Sequence, residues 1–119
     1  MLQRDLRLLE HMEEYCADIQ SAIEQFGNDF NSFTESHAYQ YTVAFCILQI
    51  GELANKLSPE LRAASSLEMN WRQIKSMRNI VVHDYGNIDP EIVWSVITKD
   101  IPKLRSFCTA LLNDHSSEL

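Results

Sequence analysis

One short stretch of the sequence combines an arginine, an amide, a histidine and a tyrosine: Arg78, Asn79, His83 and Tyr85. Asn79 and His83 are four residues apart, so on a helix they share one face, where the amide can hold the imidazole in one orientation and tautomer. An arginine nearby suits a phosphate, because its guanidinium can bind two oxygens and stabilise the extra charge of five-coordinate phosphorus. Without a metal, these groups favour RNA cleavage through the ribose 2′-hydroxyl, with His83 carrying the proton and Arg78 stabilising the charge.

The same residues also allow interpretations without catalysis. Arginine and histidine five residues apart are a common pair, and Arg78 can equally be a structural ion-pair partner with His83 on the surface. On an ideal helix the two side chains project about 140° apart, which a single chain does not easily bring together. Two such helices from two subunits, placed side by side by symmetry, would do so. Tyr85 alone is typical of a packing aromatic with an exposed hydroxyl.

The helix that carries this motif is predicted to begin at Trp71 and to end at Gly86, which suits the left-handed position beyond a last turn. Its apolar side holds Ile74, Met77 and Val81, and Arg78 lies beside that side. The opposite side is polar and carries Arg72, Ser76, Asn79 and His83.

The rest of the chain predicts an all-α fold, since only three glycines and three prolines occur and apolar residues recur at helical spacing. Long helices are predicted over 2–26 and 37–57, a short one after Ser58-Pro59, and a further helix after Asp89-Pro90. Residues 29–36 show no strong preference for regular structure, and Pro102 is expected to kink or restart the last helix near Asp100. We predict an up-and-down bundle of four main helices with short extra helices over residues 1–112, followed by a polar tail, 113–119.

The segment 37–57 has two apolar stripes and therefore needs two partners. One partner is the core, and the other fits a second subunit, although a small bundle can surround such a helix by itself. Glu52 continues the second stripe, where an unpaired carboxylate is costly to bury, so we predict that Arg78 pairs with it. The first stripe consists of Val43, Ile47, Ile50, Ala54 and Leu57, and the second of Tyr41, Phe45 and Leu48.

Composition excludes several classes of protein. A net charge of −7 speaks against a broad nucleic-acid surface, so any such contact must be local, near Arg72, Lys75 and Arg78. No apolar run approaches the roughly 18 residues of a membrane helix, and the first residues do not resemble a signal peptide.

The cysteines and histidines show no pattern of paired ligands. Cys16, Cys46 and Cys108 are far apart, which predicts reduced, buried thiols and a cytoplasmic protein. The histidines lack metal-ligand spacing, so no metal or other cofactor is expected.

Three blocks of sequence resemble one known family. Residues 71–85, WRQIKSMRNIVVHDY, are similar to the signature of the HepT-like toxins in the HEPN superfamily, which reads arginine, four residues, histidine, one residue, tyrosine. Residues 50–61, IGELANKLSPEL, resemble the upstream segment of that family, and Asp89 with residues 92–94 and 100–102 resembles the downstream one. The blocks agree in order and spacing, and the layout covers about residues 1–112.

The resemblance implies a HEPN-like helical bundle that dimerises with the motifs at the subunit interface. It implies a metal-independent ribonuclease toxin of a type VII-like toxin–antitoxin system, with Arg78 and His83 as the catalytic pair and Asn79 supporting them. It also implies a cognate minimal nucleotidyltransferase that silences the toxin by transferring AMP to Tyr85. The alternative is a non-catalytic helical module that presents Tyr85 or a groove to such a partner, while the polar cluster around His83 disfavours a purely structural dimer.

Overall fold

The computed structural model describes residues 2–82 and 89–117, and the side chains of 2–80 and 89–115. This part of the chain contains no strand, which confirms the all-α prediction. Its helices are α1 (Gln3–Phe26), α2 (Phe30–Glu35), α3 (His37–Lys56), α4 (Pro59–Ala64), α5 (Trp71–Val82), α6 (Pro90–Ser95) and α7 (Ile101–Ser117), with a π-helical segment, Val96–Asp100, between α6 and α7.

The bundle is organised around α3, which packs between α1 and α5, while α1 also packs against α7. The first apolar stripe of α3 is buried throughout, as predicted for the side that faces the core. Residues of the other three main helices belong to the same hydrophobic core and are also buried: Leu9, Met12, Cys16 and Ile19 of α1, Ile74 and Met77 of α5, and Leu104 and Cys108 of α7. None of the helices formed by the described residues is long and apolar enough to cross a membrane.

The region after α1 contains a helix that the periodicity of the sequence does not indicate. Gly27 ends α1 as predicted, with φ at 128°, a backbone conformation that favours glycine. Asp29 then caps α2, since its carboxylate accepts hydrogen bonds from the backbone N–H of Ser32 at 2.9 Å and from the Ser32 hydroxyl at 2.7 Å. Phe33 of this short helix is fully buried, so α2 covers one side of the core.

The start of α4 is tied to the start of α1 by a buried carboxylate. Ser58 caps α4 as predicted, its hydroxyl oxygen accepting from the N–H of Leu61 at 3.2 Å. The same residue donates twice to Asp5, from its backbone N–H at 3.0 Å and from its hydroxyl at 2.6 Å. Asp5 is only 2% exposed, so this carboxylate depends on Ser58 for its hydrogen bonds.

Replacing Asp5 with alanine is expected to lower the free energy of unfolding by about 1–3 kcal/mol, because the two part-buried donors of Ser58 lose their acceptor. Urea denaturation measures this change. Glu10→Ala, at an exposed position of the same helix, is the matched control and should stay within about 0.5 kcal/mol of the original protein. Equal effects of the two substitutions would contradict the role assigned to Asp5.

The predicted break before Pro102 takes the form of a π-helical segment. Pro102 has no N–H to donate to the carbonyl four residues earlier. The chain accommodates this with a wider turn, in which the N–H of Ile101 donates to the carbonyl oxygen of Val96. α7 then continues to Ser117, beyond the end near Leu112 that its apolar spacing indicates.

The three cysteines are free and buried, as predicted. Burial raises the pKa of the Cys46 thiol to about 11 and that of the Cys108 thiol to about 12. Desolvation also places the pKa of Cys16 well above its ordinary value. Thiols that remain protonated at neutral pH are poor nucleophiles, so these residues act as core side chains.

Candidate active site

The helix that carries the predicted site, α5, is anchored at its first residue. Asn70 accepts a hydrogen bond from the N–H of Gln73 at 3.1 Å and so caps the helix. The indole N–H of Trp71 donates to the Ser65 hydroxyl at 2.8 Å. The Trp71 ring packs edge-on against the ring of Phe107, with 5.5 Å between the ring centroids. Trp71 is therefore a packing residue that holds the first turn of α5 in place.

For the side chains that the structure describes, the two sides of α5 are arranged as the sequence predicts. Ile74 and Met77 are buried in the core, whereas Arg72, Ser76 and Asn79 are exposed. The side chain of Val81 and the predicted helix end at Gly86 lie outside the described residues, and so do His83 and Tyr85. Their positions relative to Arg78 and Asn79 therefore stay predictions.

Arg78 forms the predicted ion pair with Glu52 of α3. Its Nε lies 2.7 Å from Oε1 of Glu52, and the two side chains are 48% and 37% exposed. A pair this open to water adds at most about 1 kcal/mol to stability. Its main consequence is geometric, because the carboxylate holds one edge of the guanidinium against α3 while half of the side chain remains in solvent.

The ion pair lies at one end of an exposed apolar row on α3. This row is the second stripe predicted from the sequence, and the described part of the chain leaves it largely uncovered: Tyr41 is 54% and Phe45 is 49% exposed, and Leu48 is half-buried. The ring of Phe45 packs edge-on against the ring of Tyr15 in α1, with 6.1 Å between the ring centroids. Residues 41, 45, 48 and 52 follow one another at helical spacing, so the apolar row leads directly to Glu52 and Arg78.

A groove of about 940 Å³ lies away from Arg78, between α4 and α7, with Leu61, Phe107 and Leu111 among its lining residues. Glu52, Arg78 and Asn79 are not among those lining residues. Within the described ranges, no three histidine, cysteine, aspartate or glutamate side chains lie close enough together to hold a metal ion.

Sequence reasoning assigned no role to Gly51, which stands beside Glu52 and directly faces Arg78. The signal that could have revealed it is a glycine in the interior of a long helix, where this residue is disfavoured.

What the described residues provide is an accessible guanidinium, oriented by a carboxylate and bordered by an apolar surface. Such an arginine can bind a phosphate or a second protein surface.

Comparisons with known proteins agree on one family. Residues 12–111 match the profile of the HepT-like family, described as "Ribonuclease HepT-like". The chain is 28% identical over 96 residues to "Putative RNase TTE0752" of Caldanaerobacter subterraneus subsp. tengcongensis, covering 81% of this chain and 83% of that protein. It is 28% identical over 98 residues to "Probable ribonuclease HepT" of Thermococcus cleftensis, covering 78% and 88%. No solved structure matches the chain at a significant level.

Proposed function

The chain belongs to the HepT-like family of the HEPN superfamily, and we propose that it is a metal-independent endoribonuclease that acts as a homodimer. The observation that carries this proposal is Arg78: the arginine of the family motif is half exposed, held by Glu52, and lies at the end of an uncovered apolar row. A buried structural arginine would not leave its guanidinium available to a substrate.

The proposed reaction uses the nucleophile that RNA itself carries. His83 removes the proton of the ribose 2′-hydroxyl, O2′ bonds to phosphorus, and the bond from phosphorus to O5′ breaks. O5′ takes up a proton, which leaves a 2′,3′-cyclic phosphate and a 5′-hydroxyl. Arg78 stabilises the charge of the five-coordinate intermediate, and Asn79 orients the imidazole from the same helical face.

The homodimer accounts for the apolar row on α3. Tyr41 and Phe45 expose apolar rings on the row that ends at the ion pair, and a second copy of the same surface would cover them in a two-fold interface. Such an interface would bring two motif helices together, so Arg78 of one subunit could work with a histidine of either subunit. This supports a site shared between two chains.

Control of the site is proposed to reside in Tyr85. The family motif places a tyrosine two residues after the histidine, and the Tyr85 hydroxyl would attack the α-phosphorus of ATP on a cognate nucleotidyltransferase, releasing pyrophosphate and forming a tyrosyl–AMP diester. The added phosphate is an anion close in sequence to His83, where it would compete with RNA for Arg78. The protein would then be the cytoplasmic toxin of a toxin–antitoxin pair, with the nucleotidyltransferase as antitoxin.

Replacing His83 with alanine is expected to lower the rate of RNA cleavage by about 10²–10⁴-fold, the range typical of a lost general base. The assay uses purified, unmodified protein with labelled RNA in EDTA, and the products should carry 2′,3′-cyclic phosphate ends. His11→Ala, at an exposed position of α1, is the matched control and should leave the rate unchanged.

Undiminished cleavage and growth inhibition by the His83→Ala protein would refute the proposed mechanism. Cleavage that stops when EDTA is added would refute its metal independence. If the original protein cleaves no RNA at any salt concentration but binds the nucleotidyltransferase, the chain is a non-catalytic binding module instead.

A further inference from the structure

Gly51 occupies a position where glycine is costly. It lies inside α3, and a glycine within a helix destabilises it by about 0.5–1 kcal/mol relative to alanine. Its backbone does not adopt the left-handed conformation that would require glycine, since Gly27 is the glycine with positive φ among the described residues. Gly51 is also buried. Its lack of a side chain therefore has to be explained by the space around it.

That space is occupied by Arg78. A Cβ atom added to Gly51 would lie 2.9 Å from the Cβ of Arg78, 3.2 Å from its N and 3.4 Å from its Cα. These atoms belong to the backbone of α5 or are attached directly to it, so they cannot swing away as the end of a flexible side chain can. Any side chain at position 51 would therefore displace α5 from α3 at the level of Arg78.

The residue after Gly51 holds the other end of the same arginine. Glu52 bonds the guanidinium at 2.7 Å, so α3 contacts both the base and the tip of the Arg78 side chain within two consecutive residues. We propose that Gly51 is a positioning residue for Arg78: by allowing the two helices to touch, it sets where the arginine begins, and Glu52 sets where it points. The catalytic consequence rests on the proposed function, whereas the steric relation between Gly51 and Arg78 does not.

The proposed role requires that Arg78 be held close to one position. Groups that stabilise a transition state must be held within about 0.5 Å of their working position, and a displacement of about 1 Å can lower a rate by about 10²-fold. A methyl group that forces two helices apart acts on this scale. Gly51 would thus influence the reaction without touching RNA.

Thermal denaturation of Gly51→Ala, Arg78→Gly and the double variant tests the steric relation without any enzymatic assay. Although alanine is the better helix former, we expect Gly51→Ala to lower the melting temperature by about 4 °C or more. Because Arg78→Gly removes the Cβ atom that the new methyl group meets, the double variant should melt higher than the sum of the two single effects predicts. A higher melting temperature for Gly51→Ala, or strict additivity, would overturn the proposal.

RNA cleavage, measured well below the melting temperatures, tests the catalytic consequence. Gly51→Ala should lower kcat by about 10²-fold with little change in KM, and adding Arg78→Ala should then lower kcat no further than Arg78→Ala does alone. The matched control is Ala22→Gly, which removes a buried methyl group and weakens α1. It should lower the melting temperature but leave kcat unchanged.

Besides an unchanged kcat in Gly51→Ala, two outcomes of this second assay would overturn the positioning role. One is an equal loss of kcat in Ala22→Gly, which would show that lower stability alone reduces the rate. The other is a multiplicative loss when Gly51→Ala and Arg78→Ala are combined. If the original protein cleaves no RNA, the proposed function fails and the positioning role fails with it, while the melting experiment still decides whether Gly51 provides the space for Arg78.

Discussion

Arg78→Ala is expected to lower kcat for RNA cleavage by about 10²–10³-fold, the usual cost of removing one group that stabilises the charge of a transition state. If Arg78 acts mainly on the five-coordinate phosphorus, kcat and kcat/KM should fall together. Arg78→Lys should recover only part of the loss, because an ammonium group keeps the charge but cannot bind two phosphate oxygens in the fork geometry of a guanidinium. Steady-state kinetics on a defined oligonucleotide measures all three quantities.

Arg72→Ala is the matched control for this prediction, since Arg72 is an exposed arginine on the same helix. Its removal should change kcat by less than about twofold, because the proposed mechanism gives Arg72 at most a contact with RNA and no part in stabilising the reacting phosphate. Equal losses in Arg72→Ala and Arg78→Ala would show that the helix contributes general positive charge rather than one catalytic group. Full activity in Arg78→Ala would remove this residue from the mechanism.

A mixture of two inactive proteins determines whether the site is shared. Subunits carrying Arg78→Ala are combined with subunits carrying His83→Ala, and the heterodimer is isolated through two affinity tags. Recovered cleavage would show that one intact site forms from the two chains. Continued inactivity of the heterodimer would indicate that Arg78 and His83 must come from the same subunit.

Phe45→Glu is expected to convert the proposed dimer into folded monomers and to abolish most RNA cleavage. Burying a phenylalanine side chain contributes about 1.5–3 kcal/mol, and a two-fold interface contains the residue twice. Placing a carboxylate there should raise the dissociation constant at least about 100-fold. Light scattering measures the mass, which should fall to the 13.8 kDa of one chain. Because Phe45 is 49% exposed, helicity measured by circular dichroism should be preserved.

The chain offers a matched control for this substitution. Leu67 is 97% exposed in the loop before α5, so Leu67→Glu makes the same kind of change away from the apolar row. It should leave both the mass and the rate of cleavage unchanged. Dissociation caused by Leu67→Glu but not by Phe45→Glu would locate the interface at the loop and contradict the proposed dimer.

The sequence predicts those parts of the fold in which a long apolar pattern decides the structure. The buried and exposed sides of α1, α3 and α5 follow from the spacing of their apolar residues. The ion pair between Arg78 and Glu52 follows from a carboxylate that lies on an apolar stripe and therefore needs a cation. The helix after Asp29 is missed because six residues are too few to show a period, although the capping aspartate was present. Pro102 predicts a break but not its form, since several hydrogen-bond patterns can accommodate a missing N–H.

The candidate site is predictable in its residue types but not in its distances. Spacing indicates that Arg78 lies beside the apolar side of α5 and not on its polar side. Only the packing of α5 on α3 reveals that Gly51 contacts the backbone of Arg78. A contact between residues 27 positions apart in sequence depends on how two helices cross, which local patterns do not encode. The role of His83 comes from its residue type and spacing as well as from the family motif, and that of Tyr85 comes from the family motif alone. Both stay predictions.

The pairing of Arg78 with Glu52 also bears on how salt should affect this protein. Most nucleic-acid-binding proteins gain affinity by releasing the cations condensed on phosphates, which makes their binding strongly dependent on ionic strength. Here Glu52 keeps one edge of the Arg78 guanidinium while a phosphate binds the other edge, on a chain whose net charge is −7. The ion pair carries little net positive charge, so the proposed site should release few counterions when RNA binds. Selection of RNA by this site would then depend on the shape and unstacked bases of single-stranded segments more than on charge.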